Sequence, residues 1–342
     1  MKKKIAIIFN DVHLKTGNEK DILNAFKDMV DYAVKNDISN LIFAGDLFDS
    51  RSYQRQELLL TFDKMLHLLQ DYDLTLYMFP GNHDKTVYKS YDSFLEPYKH
   101  YPNVIFNRGV SDIEIGGVKI TLLPFFSDDM LVPMIESHEG GDVLISHFEM
   151  QGSTHLGDVS EKADITKKML KKWNKTYLGH YHNWHEITKD IVHLPAFIQD
   201  NFGETDYKGY SVLHDDLTYE IIEGNFKKYI KLDLHVDDLD SKKLSSLISE
   251  YSGSKDSIRF EISGDKAKLK SIDKSQFKGT GIDVKIKFDK IIDKEDVELT
   301  MEVKPIQTWD ASSVRKIFVD FCKEKGYTLK EGQVLLEKFL KQ

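Results

Sequence analysis

Six apolar runs punctuate the first part of the chain: KIAIIF, NLIFAG, LTLYMF, VKITLLPF, DVLISH and KTYLGH. Each is too short and too rich in β-branched or aromatic residues for a helix, so each reads as a buried strand. Between them, apolar positions recur at helical spacing over residues 21–36, 53–70 and 162–173. Strands alternating with amphipathic helices imply an α/β layered domain that reaches to about residue 215.

Further along, the pattern shrinks. IKLDLHV, SKKLSSLISEY, SIRFEIS, KAKLKSIDKSQF and IDVKIKF read in turn as β, α, β, α, β, a small separate α/β module near residues 230–290. A charged connection follows. Residues 312–325 and 329–340 then carry two amphipathic helical stretches around a turn with Gly326, a residue suited to end a helix. These shifts divide the chain into 1–228, 229–292 and 293–342. The terminal helical pair suits either capping of the chain's own core or docking on a partner.

Composition narrows the class. With 342 residues, 41% of them hydrophobic, the chain has ample material for a core. No run approaches eighteen apolar residues, and MKKKIAIIFND passes directly into polar sequence. A soluble, unexported protein without membrane association is expected. Cys322 is the one cysteine, which excludes an intrachain disulfide and any cysteine-based metal cluster and fits a reducing cytoplasm. The net charge of −9 argues against a generally basic nucleic-acid binder, but the charge is uneven. Before Lys231 there are 25 basic and 35 acidic residues, and from Lys231 onward 22 and 21. An acidic surplus of this kind suits carboxylates gathered around cations as well as an ordinary solvated surface.

The strand ends carry the chemistry. IAIIFN runs into Asp11 and His13, NLIFAG into Asp46, LTLYMFP into Asn82, His83 and Asp84, DVLIS into His147, and TYLG into His180 and His182. Ligand sites in open α/β sheets are built at this carboxyl edge. Any one such ending is explained by turn chemistry; five endings drawn from oxygen and imidazole ligands are not. In TYLGHYHNWHEI an extended backbone points His180 and His182 to one side, and His185 joins them only through a turn. Two aspartates, one asparagine and four histidines form a mixed nitrogen and oxygen set that suits manganese, iron or zinc better than calcium. Seven ligands exceed a tetrahedral cage and suit two octahedral ions that share a bridging carboxylate. Such a pair can clamp a phosphodiester and activate a water.

The ordered blocks DVH, GDLFD, GNHD, SH and GHYH resemble the calcineurin-like metallophosphoesterase superfamily over roughly residues 4–215. The resemblance implies a layered α/β fold, a β-sandwich flanked by helices, followed here by a small α/β capping domain and a C-terminal helical pair. It implies Asp11, His13, Asp46 and His182 around one metal and Asp46, Asn82, His147 and His180 around the other. His83 then serves as proton donor to the leaving oxygen, with Asp84 orienting its ring, and Asp49 hydrogen-bonds a ligand histidine. His67 reads as structural, His185 as a rim residue, and His155 lies in a loop near the substrate side.

Within the superfamily, NDVHL and LIFAGDLFDSR are similar to the nuclease subunit of the bacterial SbcCD complex, the meiotic-recombination-eleven nuclease and the T4-like phage recombination nuclease subunit. Phe202-Gly203-Glu204 and Lys208-Gly209-Tyr210 match the run that follows the last histidines in that group, and Pro195-Ala196 stands where it usually has Gly-Ser. This likeness implies a manganese-dependent DNA exonuclease and endonuclease of recombination, replication and repair, in the cytoplasm or a phage host's cytoplasm. Its implied partners are DNA, an SbcC-like coiled-coil ATPase and a second copy, a homodimer within a heterotetramer. The segments 53–70 and 88–101 are candidate dimer helices. Lys266, Lys268, Lys270, Lys274 and Lys278 suit DNA phosphates or a solvated face. The alternatives are a cyclic-nucleotide or other small phosphodiester hydrolase and a non-catalytic scaffold, and an intact His83 speaks against the scaffold.

Overall fold

All six apolar runs form strands, and the alternation of their side chains explains why they are apolar throughout. Along Lys4–Phe9, Ile7 and Phe9 pack against helices while Ala6 and Ile8 face a second sheet. Along Asn40–Ala44, Leu41 and Phe43 take the helical side, Ile42 and Ala44 the other. Strands buried on both faces have no polar side to show. The computed structural model describes residues 2–155, 158–205, 207–270 and 272–289.

Two six-stranded sheets stack face to face. The first runs in the order Tyr219–Glu223, Gly209–His214, Lys4–Phe9, Asn40–Ala44, Thr75–Phe79, Val104–Phe106, and the second His185–Thr188, Ile191–His193, Trp173–Leu178, Gly141–Ser146, Val118–Leu123, Ser111–Ile115. Their inner faces share one core, with Ile8, Ile42 and Phe79 from one sheet and Ile120, Ile145 and Tyr177 from the other. Helices Glu19–Lys35 and Gln56–Asp71 cover the outer face of the first sheet through Phe26, Met29, Phe62 and Met65. Asp128–Ser137 covers the second through Leu131 and Ile135. The result is the helix-flanked α/β sandwich that the resemblance implies. Among the described residues no helix is long and apolar enough to cross a membrane.

Two helical expectations fail for local reasons. Residues 162–173 hold only a short 3-10 turn, Met169–Lys172. Ile165 and Leu170 are buried, the Ile165 carbonyl accepts a hydrogen bond from Gln151, and Trp173 already begins a strand. Residues 88–101 are turns ending in the 3-10 stretch Glu96–His100. There the hydroxyls of Ser90 and Ser93 accept the N–H groups of Asp92 and Leu95, and such local bonds compete with a helix. Of the two candidate dimer segments, only the first contains an α-helix.

The module after residue 228 has the expected β, α, β, α, β order. Strands Tyr229–His235, Ser257–Gly264 and Ile282–Phe288 pair in parallel. Leu244, Phe260, Leu269 and Phe277 belong to a core of its own. Residues 2–289 lie within one compact unit, so the module and the sandwich belong together. The expected helices at 312–325 and 329–340, and Cys322, lie outside the described residues.

Phe43 is fully buried and stacks 5.2 Å from Phe9 where helices meet the first sheet. Phe43→Ala is expected to cost about 3–5 kcal/mol in urea unfolding. The exposed Val34→Ala is expected to stay within about 0.5 kcal/mol.

Candidate metal centre

The parallel ladder does not stop where the strands end. Beyond Phe9 and Ala44 the two chain segments keep pairing: Asp11 N–H donates to Gly45 O at 3.0 Å, Val12 and His13 to Asp46 O at 2.8 and 3.2 Å, and Leu14 to Leu47 O at 2.7 Å. Val12, Leu14, Leu47 and Phe48 are buried beneath. This extension sets Asp11 beside Asp46 at the carboxyl edge of the first sheet. Asp11, His13, Asp46 and His180 all have left-handed backbone, with φ of 50°, 45°, 62° and 85°. Non-glycine residues seldom adopt that region, and they concentrate at functional sites.

The glycines that precede the ligands have steric reasons. A Cβ on Gly45 would lie 2.7 Å from His147 Nδ1, one on Gly179 2.8 Å from the same atom, and one on Gly81 would overlap the Asp46 carboxylate. The glycines of GD, GN and GH therefore let three loops close on one point.

Around that point the polar groups face one another. Asp46 Oδ2 lies 3.1 Å from His147 Nε2 and 3.9 Å from His13 Nε2, and Asp11 Oδ1 lies 3.7 to 3.8 Å from His13, His147 and His182. Asn82 Oδ1 is 3.2 Å from His147 Nε2 and 2.9 Å from His180 Nδ1. His180 thus sits by His147 and Asn82, and His182 by His13 and Asp11. The two come together through a bend beyond Trp173–Leu178, not through the extended backbone expected. Ligand atoms of Asp11, His13 and His182 lie within 4.8 Å of one another, as do those of Asp11, Asp46 and His147 and of His13, Asp46 and His83.

These residues fit divalent cations on three counts. Asp11 Oδ1 and both ring nitrogens of His13 are buried without a hydrogen-bond partner. His147 donates Nδ1–H to Ala44 O at 2.8 Å and His182 donates its own to Glu204 at 2.7 Å, so each turns Nε2 inward. Finally, the electrostatics call for positive charge. Burial works against charge on both His13 and His147, yet Asp11 and Asp46 outweigh it and raise each imidazole to about 9. Burial alone would raise Asp11 and Asp46, but the histidines hold both below the usual carboxylate range. Burial and His147 lower His180 to about 4, which keeps it neutral.

Two expectations need correction. Asp84 does not touch the His83 ring; its buried carboxylate accepts N–H bonds from Asp46, Leu47, Phe48 and Gly81, locking two ligand loops together. Burial and the Asp46 charge push its carboxyl up to about 7, opposed by those donors. The His83 ring is oriented instead by the backbone carbonyl of Asp49, 2.6 Å from Nδ1, and its Nε2 accepts from Arg51 at 2.8 Å. Asp49 therefore meets His83 through its backbone, while its side chain lines the cavity with His13 and Asp46. Asp46 Oδ2 faces His13 and His147, while Oδ1 accepts the His83 N–H at 2.7 Å.

Other histidines stand apart. His185 lies in an edge strand, stacked 4.7 Å from His193, and His67 is exposed beside Asp63. The side chain of His155 is outside the described residues. No pattern in the sequence assigns a role to Arg51, Glu204 or Lys208, although the last two belong to the FGE and KGY blocks and Arg51 ends GDLFDSR.

A cation entering this centre displaces protons from His13 and His147, so its affinity is expected to rise with pH up to about 9. Calorimetric titration of Mn2+ at pH 7 in buffers of different ionisation enthalpy is expected to show release of about one to two protons. A heat independent of buffer would contradict this charge balance.

Residues 6–184 match the family model for calcineurin-like phosphoesterases. Exonuclease subunit 1 of Enterobacteria phage T4 is 24% identical over 165 residues, 47% of this chain and 48% of that protein. The SbcD subunit of the SbcCD nuclease from Staphylococcus saprophyticus is 22% identical over 244 residues, 57% and 64% of the two chains. The DNA double-strand break repair protein Mre11 of Saccharolobus solfataricus is 37% identical over 206 residues, 56% and 52% of the two. The chain spans about half to two thirds of the length of these relatives. With the family model covering more than half of its residues, the chain belongs to the calcineurin-like phosphoesterase family.

Proposed function

We propose that the chain is a Mn2+-dependent DNA exonuclease and endonuclease, the nuclease half of an assembly with an SbcC-like coiled-coil ATPase. The observation that carries this reading is the convergence of two buried carboxylates, an asparagine oxygen and four imidazoles from the carboxyl ends of strands in both sheets, beside a fifth histidine that fronts the cavity. The names of the relatives, an exonuclease subunit, a nuclease subunit and a DNA break repair protein, support DNA as substrate. Asp11, His13, Asp46 and His182 are assigned to one cation, and Asp46, Asn82, His147 and His180 to the other. The mixed nitrogen and oxygen set suits Mn2+ as it suits iron or zinc; Mn2+ is the ion assigned here because the family likeness implies it. Divalent ions held there supply Lewis acidity toward a phosphoryl oxygen and acidify a water.

The chain's own groups do the remainder. Asn82 adds an oxygen ligand without adding negative charge where an anionic substrate must approach. His83 stands at the cavity wall, its ring 4.7 Å from that of His13. Burial lowers its pKa and Arg51 occupies Nε2, so proton donation to the leaving oxygen, the role assigned to it, requires Arg51 to move off Nε2 and the ring to take up a proton first. Arg51 bridges Tyr88 and His83 and is suited to exchange His83 for a phosphate oxygen. Beside His180 opens a cavity of about 490 Å3 lined by Tyr88, Phe125 and Phe148, by Arg51 and Lys162, and by the carboxylates Asp128 and Glu149. Flat aromatic walls next to cations suit a nucleotide flanking the scissile bond. In the module, Lys266, Lys270, Lys274 and Lys278 are exposed and suit the phosphate backbone, while Lys268 is paired with Asp237 at 2.7 Å. Leu59 and Leu60 on the Gln56–Asp71 helix are exposed and suit a second copy of the chain.

The test is cleavage of end-labelled linear double-stranded DNA with Mn2+, run beside bis-p-nitrophenyl phosphate. Wild type is expected to shorten the DNA, and His83→Ala to lower the rate by about 10²–10⁴-fold with Mn2+ uptake retained. Hydrolysis of the small diester with DNA left intact, also in the presence of the ATPase, would favour a small phosphodiester hydrolase instead.

A further inference from the structure

The loop from Gln199 to Glu204 holds two structures at once. At one end the Glu204 carboxylate accepts a 2.7 Å hydrogen bond from His182 Nδ1, which directs Nε2 toward Asp11. Fully buried Lys208 steadies that carboxylate at 3.3 Å and also donates to the His182 carbonyl. At the other end Gln199, only 2% exposed, clamps the backbone of Tyr229, the first residue of the module's first strand. Its amide nitrogen donates to Tyr229 O at 3.1 Å, and its oxygen accepts Tyr229 N–H at 2.8 Å. The same nitrogen donates to Glu204 O at 3.0 Å, so one side chain grips both ends of the connection.

The middle of the loop is fastened to the module as well. The Phe202 ring stands perpendicular to that of Tyr229 at 5.1 Å, and the Arg259 guanidinium lies 4.0 Å from the Phe202 centroid. Arg259 belongs to the module's central strand and is itself paired with Asp283 of the next one at 2.6 Å. Loops are ordinarily more mobile than the elements they join. This one cannot shift at Tyr229 without taking both of that residue's backbone groups from the buried amide of Gln199, and a buried amide left unpaired is costly.

We infer that this loop transmits the position of the second module to the cation centre, with Glu204 and Gln199 as positioning residues for His182. The inference rests on the two-cation reading above. Anything that docks on the module and tilts its first strand moves Gln199, then Glu204, then the ring that faces Asp11. It thereby changes affinity at the His182 cation position and leaves the Asn82, His147 and His180 position alone. By reciprocity, a cation at His182 stiffens the module against the sandwich.

The test is calorimetric titration of Mn2+ into the full chain, wild type beside Gln199→Leu, Phe202→Ala, Glu204→Ala and Glu204→Gln, with thermal unfolding of each. Phe202→Ala loosens the loop without orphaning a buried amide, so it reports where Gln199→Leu fails to fold. Gln199→Leu, Phe202→Ala and Glu204→Ala are expected to weaken one of two Mn2+ positions by about 10–100-fold and spare the other. Glu204→Gln keeps an acceptor for Nδ1 and is expected to lose less than Glu204→Ala. Two positions of wild-type affinity in Gln199→Leu and Phe202→Ala, or both positions weakened alike, would overturn the inference. A wild type that takes up no Mn2+ would instead remove the two-cation reading beneath it.

Discussion

Two carboxylates, Asp11 and Asp46, are buried side by side where the first two parallel strands end. Like charges withdrawn from water in this way are unfavourable unless positive charge joins them. The fold enforces the proximity by carrying the strand ladder past the regular strands and anchoring it on Val12, Leu14, Leu47 and Phe48. Everything else at the site answers that demand. His13 and His147 are raised to about 9 by the carboxylates, which means the centre retains protons until something more strongly positive replaces them. A divalent cation is the chemical group that does so while keeping an open face for substrate.

The scaffold accepts local strain for this arrangement and sets it on strong supports. Asp11, His13, Asp46 and His180, all assigned ligands, have left-handed backbone, and the loops that carry the ligands are held by groups assigned to no cation. Asp84 fastens the Asp46 and Asn82 loops through four N–H bonds, and Ala44 O fixes the His147 tautomer. Glu204 does the same for His182, and His193 donates to Gly179 O at 2.9 Å and so fixes the turn before His180. Preorganised ligands of this kind bind without the entropic cost of being ordered.

The strand runs and their polar endings were legible because both-face burial forces continuous apolar sequence and because the carboxyl edge is where the loops converge. The ligand blocks were legible because each sits directly behind such a run. What supports the ligands was not. The role of Asp84 depends on N–H groups of residues 46 to 48, far from it in sequence, and no local pattern announces such a bond. The orientation of the Asp46 carboxylate depends on the His83 N–H, which its Oδ1 accepts. The 162–173 stretch has helical spacing, but the tertiary bond from Gln151 to Ile165 and the early start of the Trp173 strand override it. Glu204 and Lys208 lay within recognised blocks, yet only the fold brings them to His182.

The central claim is that these residues form one centre for two cations joined through Asp46. Electron paramagnetic resonance of the protein loaded with two equivalents of Mn2+ tests it most directly. The expected spectrum is that of an exchange-coupled Mn2+ pair, lost to an uncoupled single-ion signal in Asp46→Ala. Two equivalents bound with only uncoupled signals in the wild type, or no uptake at all, would contradict it.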